Sequence, residues 1–340
     1  MEKLNKQAEE LNKIIKENSP TTYNLLSKKG KAAFFPKKGI ISQSTQAKEA
    51  RINATIGEAV EDDGTPVRLS SIAKKVLLDL KKVLPYASSF GEQELRKRWE
   101  KELRRKNPSL KSGISFPVVT NGLTHALNIV GYLFIDPGDK IITADKYWEN
   151  YSLIFESSFA GVLETYNTFK GTGFDIESFK KKLERKEGKK TVLLNFPNNP
   201  TGYTPTNKEV VEIVRIIKDR AQKGDEVLVI CDDAYFGLVY EKGVFKESIF
   251  AKLANLHENI FAIKIDGVSK ELYAWGLRVG FITYGSRRVT QEAYNALEAK
   301  TAGVIRASVS NVSHLSQTLC LEALNSRLFE SEKSATPQAV

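Results

Sequence analysis

From residue 114 onward the chain alternates short, almost wholly apolar runs with stretches of helical periodicity: FPVVT and then GLTHALNIVGYLFI, followed by DKIITA, TVLLNF, EVLVICD and FAIKI. Runs that are apolar on both faces of the pleat need cover on both sides, and the intervening helices supply it. The pattern therefore predicts an α/β fold with a mostly parallel sheet flanked by helices. At 340 residues the chain can bury a substantial core, as one large domain or two smaller ones.

What stands at the ends of these runs narrows the chemistry. FAIKI leads into DGVSK, and Arg278 follows eight residues after Lys270, inside GLRVGF. A lysine held between two strands on a glycine-bearing turn suits a Schiff base, because burial lowers an amine's pKa and frees its lone pair. An arginine nearby clamps an anionic group with its planar fork. Upstream, TNGLTHAL sets Gly122, Leu123 and Thr124 at a strand-to-helix turn, where free N–H groups at a helix N-terminus and the threonine hydroxyl make a phosphate cradle. TVLLNF runs into PNNPTGYTPT, a turn made rigid by its prolines and glycine that holds Asn199, and Thr206 caps the helix after it. EVLVICDDAY places Asp232 and Asp233 at a strand end with Tyr235 close behind. A carboxylate buried there needs something cationic to meet it.

Taken singly, each piece has a plainer reading. Most lysines are solvated, acids at strand ends form turns, Trp148 suits a core, Tyr86 suits the edge of an apolar patch, and INATIGEAV reads equally well as a strand before an acidic loop. Their order is more specific than any one of them. The glycine turn, Asn-Asn-Pro-Thr-Gly, Asp-x-x-Tyr and the lysine with its arginine, in this sequence, resemble the fold-type-I pyridoxal-phosphate enzymes. Within them the chain is similar to the aspartate-aminotransferase-like members of the class I and II aminotransferases, over roughly residues 52–330.

The resemblance implies pyridoxal 5'-phosphate as cofactor, held by Lys270 as a Schiff base. By the Asp-x-x-Tyr spacing it selects Asp232 over Asp233 to keep the ring nitrogen protonated. It assigns Trp148 to stack on the ring, with Asn150-Tyr151 continuing the pattern, Asn199 and Tyr235 to the ring oxygen, and residues 122–124 with Arg278 to the phosphate. Many relatives carry a serine three residues before the lysine, where this chain has Gly267; whether Ser269 takes its place is left open by the sequence. Tyr86, followed by Gly91 and Leu95-Arg96, is implied to reach the phosphate of a neighbouring protomer, hence a homodimer. Gly57, with Ile56, falls at the implied substrate entrance. Arg306, five residues before Asn311, falls where a partner arginine binds the distal carboxylate of aspartate or glutamate.

The implied activity moves an amino group between an amino acid and a 2-oxo acid. A lyase or decarboxylase using the same cofactor shares every residue named, and a catalytically impaired or purely binding protein on this fold is a third reading. The expected domains are an N-terminal helix, arm and small-domain segment at 1–66, a cofactor-binding large domain at 67–325, and a truncated tail at 326–340. Fewer residues follow Arg278 than the family's C-terminal small domain needs, and no candidate stands for the arginine that grips the substrate α-carboxylate. Near the start, Leu4, Leu11, Ile14 and Ile15 share one helix face. A loop or arm punctuated by Pro20, Gly30, Pro36 and Gly39 follows, and a further helix is expected at 70–83.

A formal charge of +10 raises a nucleic-acid reading, yet 51 basic residues are interleaved with 41 acidic ones. The densest basic stretches, at 94–106 and 180–190, read as solvated helix faces, and no nucleic-acid-binding signature is present. A positive surface favours anionic substrates and a phosphorylated cofactor instead. Cys231 and Cys320 lie far apart without metal-ligand spacing, no metal is expected, and Cys231 reads as a small core residue. With no secretion signal and no apolar run of membrane-spanning length, a cytoplasmic enzyme is the expectation. His125, His257 and His314 are scattered and carry no catalytic assignment.

Overall fold

The structure, a computed structural model, describes residues 4–18, 82–184 and 188–335, with isolated positions 23, 24, 26, 31 and 47. Gly57 with Ile56, the boundary at 66, most of the arm at 20–39 and nearly all of the helix expected at 70–83 lie outside the described residues. In chain order the first elements are α1 (Lys6–Asn18), α2 (Gln93–Lys106), β1 (Val118–Thr120), α3 (Gly122–Phe134) and β2 (Lys140–Ala144). A π-helical stretch (Ser152–Ser158) precedes β3 (Val162–Tyr166), the small hairpin of β4 (Phe169–Lys170) and β5 (Gly173–Phe174), α4 (Ile176–Leu183), β6 (Lys190–Asn195) and α5 (Asn207–Gln222). Then come β7 (Val227–Asp232), α6 (Phe250–Leu253), β8 (Ile260–Gly267), α7 (Val268–Glu271), a 3-10 turn (Trp275–Leu277), β9 (Gly280–Ser286), α8 (Gln291–Ser308), α9 (His314–Leu324) and α10 (Phe329–Ala335).

The main sheet runs β1-β9-β8-β7-β6-β2-β3. Neighbours from β8 to β3 are parallel, and β9 is antiparallel to both β8 and β1. The expectation of a mostly parallel sheet flanked by helices holds. Strands β6, β7 and β9 are buried along their whole length, as their unbroken apolar character requires. On one face, Leu193, Ile230, Ile263, Ile265 and Ile282 pack with α3, Tyr151 and α8. On the other, Val192, Leu194, Val229, Cys231 and Ala262 pack with α4, α5 and α6, while Val119 and Phe281 pack with α2, α9 and α10. Cys231 is fully buried, as expected of a core residue.

Topology gathers the functional stretches on one edge. The chain leaves β1, β2, β6, β7 and β8 at the same end of the sheet, and β9, being antiparallel, begins there. Residues 268–279 are thus an excursion between two adjacent strand ends, closed by the pairing of Gly267 with Gly280, which itself pairs with Thr120. Ligands of open α/β sheets bind outside the carboxyl ends of the strands.

Three expectations need correcting. The buried side of α1 is set by Ala8 and Asn12, whose Nδ2 donates to the Lys31 carbonyl at 2.8 Å, while Ile14 is 57% exposed. The basic stretch at 94–106 is solvated on one side only: Lys97, Lys101 and Arg105 are exposed, but Leu95, Arg96, Trp99, Glu102 and Leu103 are buried, and Arg96 Nη2 pairs with Glu298 Oε2 at 2.8 Å. The stretch from 326 is not a plain tail, since it forms α10, whose Phe329 is buried in the cluster holding Leu95 and Trp99.

Candidate active site

The alternation of a β-strand sends consecutive side chains to opposite faces, and this separates the two acids at the end of β7. Asp232, in register with Asn195 and Ile265, accepts a hydrogen bond from the Tyr151 hydroxyl at 2.5 Å and one from the Ala234 N–H at 3.1 Å. Asp233 points the other way, where it accepts from the Ser248 hydroxyl at 2.6 Å and from the Lys264 ammonium. Asp232 is buried, and burial, only partly offset by its two donors, pushes its carboxyl up to about 6. The Tyr151 hydroxyl is driven well above its ordinary value, first by burial and then by the adjacent Asp232 charge.

Around Asp232 the other predicted residues assemble. Trp148 stands edge-on to Tyr151 with ring centroids 5.7 Å apart. Lys270 Nζ, on α7, lies over the Tyr235 ring, 5.5 Å from its centroid. Tyr235 and Asn199 line one open cavity of about 270 Å³ together with Leu238 and Tyr240. The Asn199 turn is fastened from below by Asn195: its Oδ1 accepts the Asn199 N–H at 2.7 Å, and its Nδ2 donates to the Asp232 carbonyl at 2.8 Å. Thr206 caps α5 as expected, in a reciprocal capping box with Glu209.

Gly122, Leu123 and Arg278 converge where the cradle was expected. Gly122 has φ +77°, and a Cβ there would come within 2.5 Å of the Arg278 guanidinium; a Cβ on Gly280 would come within 2.8 Å of the Gly122 carbonyl carbon. Strand, turn and arginine approach too closely for side chains, leaving backbone N–H groups at the start of α3 beside a cation. Ser269 is buried next to Lys270, and among the described residues its hydroxyl has no hydrogen-bond partner. An unmatched buried hydroxyl is uncommon in a folded chain and fits an acceptor supplied by a bound group. Taken together, the glycine cradle with its arginine, the unmatched Ser269 hydroxyl and the desolvated Asp232 carboxyl fit a ligand with a phosphate at one end and a protonated ring nitrogen at the other. Among the described residues no group of three or more His, Cys, Asp or Glu side chains is placed to hold a metal.

Two predicted residues stand apart from this cluster. Tyr86 is 90% exposed on the segment that lies against the start of α9, where the Pro85 carbonyl meets His314 Nδ1 at 2.8 Å. Arg306 is exposed near the end of α8 and donates to Ser310 Oγ at 2.6 Å. That helix end is tied to the cradle, since His125 Nε2 lies 3.1 Å from Ser308 Oγ and its Nδ1 accepts the Asn121 N–H at 3.1 Å. Sequence reasoning missed Asn195 as the fastening of the turn and Tyr151 as the donor to Asp232. It also missed Lys264, whose burial in an otherwise apolar strand has no local signal.

Fold and site define an α/β domain with a glycine turn and its arginine, a lysine and a buried acid at the carboxyl edge of its sheet. The chain belongs to the family described as aminotransferase class I and II, which matches residues 49–339. It is 30% identical over 236 residues to an aspartate aminotransferase of Sulfurisphaera tokodaii, covering 68% of this chain and 54% of that protein. With an aspartate aminotransferase of Thermotoga maritima it shares 29% identity over 292 residues, covering 83% of this chain and 69% of the relative. The chain thus spans between about half and about two thirds of the length of these relatives. Among solved structures it superimposes on an aminotransferase of Anaerococcus prevotii with a TM-score of 0.79 at 26% identity, covering 91% of this chain and 78% of the other.

Proposed function

We propose that the chain binds pyridoxal 5'-phosphate and takes part in amino-group transfer between an amino acid and a 2-oxo acid. The observation that carries this reading is the meeting, on one sheet edge, of Lys270, the desolvated Asp232 and the cradle of Gly122 and Arg278. When bound, the cofactor supplies an electron sink for the bond broken at the substrate Cα. The protein's part is orientation and charge. Arg278, the N–H groups of residues 122–124, the Thr124 hydroxyl and Ser269 hold the phosphate. Trp148 covers the ring, Asn199 and Tyr235 face its oxygen, and Asp232 holds a proton on the ring nitrogen. Lys270 Nζ would hold the cofactor and serve as the base that takes the proton from the substrate Cα.

The exposed Tyr86 is proposed to reach the phosphate in a second copy of the chain, making a homodimer, and Arg306 to meet the distal carboxylate of aspartate or glutamate. The names of the relatives above favour that substrate class. Gly57 is kept as a substrate-side residue. The two buried free cysteines, and the absence among the described residues of any helix long and apolar enough to cross a membrane, support a cytoplasmic location.

The test is direct. The chain mixed with pyridoxal phosphate is expected to develop a visible absorption band, and borohydride reduction followed by peptide mapping to place the added mass on Lys270. Lys270→Ala is expected to lose the band with its far-ultraviolet circular dichroism unchanged. An adduct mapped elsewhere, or a band that survives the substitution, refutes the assignment. Amino transfer to 2-oxoglutarate, measured beside ammonia and carbon dioxide release, separates transfer from lyase or decarboxylase chemistry.

A further inference from the structure

Behind Asp232, on the opposite face of the sheet, lies a buried charged layer that the proposed chemistry does not use. Lys264 occupies the middle of β8 with its side chain 0% exposed, paired across the ladder with Cys231 on one side and Thr283 on the other. Its ammonium donates to Asp233 and forms an ion pair with Asp266 Oδ2 at 3.1 Å. Asp266 is held from α2 by the Trp99 indole N–H at 3.0 Å, and Asp233 by Ser248. Phe236 covers the ammonium at 4.3 Å, and its ring is also approached by Lys106, which pairs with Glu271, the neighbour of Lys270, at 2.6 Å.

A lysine in the middle of a buried strand is expensive unless its charge is used. Three carboxylates, Asp232, Asp233 and Asp266, stand at the ends of neighbouring strands within one buried region, where Asp233 raises the pKa of Asp232 and Asp266 that of Asp233 by like-charge repulsion. Asp233 acts on Asp232 in this sense while Lys264 opposes it, and burial remains the largest influence on Asp232. Lys264 itself is pulled down by burial, but its two carboxylates outweigh this and raise it, so it stays charged.

We propose that Lys264 is a positioning residue for the cofactor site: by neutralising Asp233 and Asp266 behind the sheet, it leaves Asp232 as the acid that ionises toward the ring nitrogen. The inference rests on the cofactor reading above and adds to it a charge relation across the sheet. Among the described residues the titratable and charged groups around Asp232 are Tyr151 from the π-helical stretch, Tyr235, Cys231 and Asp233 from β7 and its turn, Lys264 and Asp266 from β8, and Lys270 of α7 over the Tyr235 ring. Lys106 of α2 and Glu271 of α7 lie behind them.

The sign of two substitutions tests it. In the full chain without cofactor, the carboxyl carbon of Asp232, assigned in ¹³C spectra by its loss in Asp232→Asn, reports the titration directly. Asp233→Asn keeps the acceptor for Lys264 and Ser248 while removing a negative charge, and is expected to lower the Asp232 midpoint by about half a pH unit or more. Lys264→Met is expected to raise it, and Lys264→Met with Asp233→Asn to bring it back toward the parent value. A purely structural lysine would lower stability and leave the midpoint where it was, and an unchanged or raised midpoint in Asp233→Asn overturns the proposal even where Lys264→Met fails to fold. With pyridoxal phosphate bound, the pH at which the visible band is lost is expected to move in the same directions. A parent chain that forms no band removes the cofactor reading and the positioning role with it, whereas a band whose pH dependence ignores both substitutions removes the positioning role alone.

Discussion

Asp232 sets burial against function. Its carboxyl titrates near 6 in the folded chain, against about 3.9 for an unfolded aspartate. Between those values the folded state holds the extra proton, so the cofactor-free chain is most stable at the acidic end of this window. It loses that contribution as pH rises through about 6, by at most about 3 kcal/mol. Asp232→Asn is therefore expected to make the cofactor-free chain more stable at pH 8, by about 1–2 kcal/mol, and to flatten its pH dependence, as read from urea denaturation at several pH values. Asparagine fits the hydrogen bonds: its oxygen takes the Ala234 N–H, and the Tyr151 hydroxyl turns to accept from its amide. The same change is expected to weaken cofactor binding, so one substitution should move stability and function in opposite directions. A variant less stable than its parent at pH 8 would show that Asp232 is not held at a cost. Tyr151→Phe removes a donor to the charged form and is expected to raise the Asp232 midpoint further.

The turn into α3 is where elements rather than single side chains make the site. Gly122 is left-handed and in contact with the Arg278 guanidinium, so Gly122→Ala brings backbone strain of about 1 kcal/mol and displaces the arginine, which is flexible and gives way. The expected result is a folded chain with about tenfold or greater loss of pyridoxal phosphate affinity, measured by absorbance titration. In an Arg278→Ala background the same change should cost much less affinity, because the group it displaces is already gone; equal losses in both backgrounds would separate the glycine from the arginine. This turn was legible in the sequence because a strand, a glycine and a helix N-terminus leave a local signature, as do the apolar runs of β6 and β7. The proposed choice of Asp232 over Asp233 came from resemblance, and the opposite directions of these adjacent strand residues, which support it, needed the sheet. Arg96 and Lys264 were illegible because a charged residue looks solvated until its partner, Glu298 or Asp233, arrives from elsewhere in the chain. The part of Asn12 in α1 was missed for a related reason: it is buried by a backbone acceptor at Lys31, which no hydrophobic pattern records.

At the scale of the whole molecule, Tyr86 stands apart from the Gly122 and Arg278 cradle of its own chain. Its side chain is almost wholly exposed, while the segment bearing it is anchored through Ser89 Oγ to the Ser310 carbonyl at 2.7 Å and through the Pro85 carbonyl to His314. A fixed backbone presenting a free aromatic suits a contact made outward, toward a second copy related by twofold symmetry, in which each site borrows from its neighbour. Complementation tests this without relying on the oligomeric state alone. Tyr86→Phe and Lys270→Ala are each expected to be impaired, the first in cofactor affinity and the second in adduct formation. Unfolded together and refolded, they should form mixed dimers in which one site has Lys270 from one chain and Tyr86 from the other. With random pairing about a quarter of all sites are then intact, and that fraction of tight, borohydride-trappable cofactor is expected to reappear. Recovery no greater than the average of the two parents would place the Tyr86 hydroxyl outside the partner's site, even for a chain that sediments as a dimer.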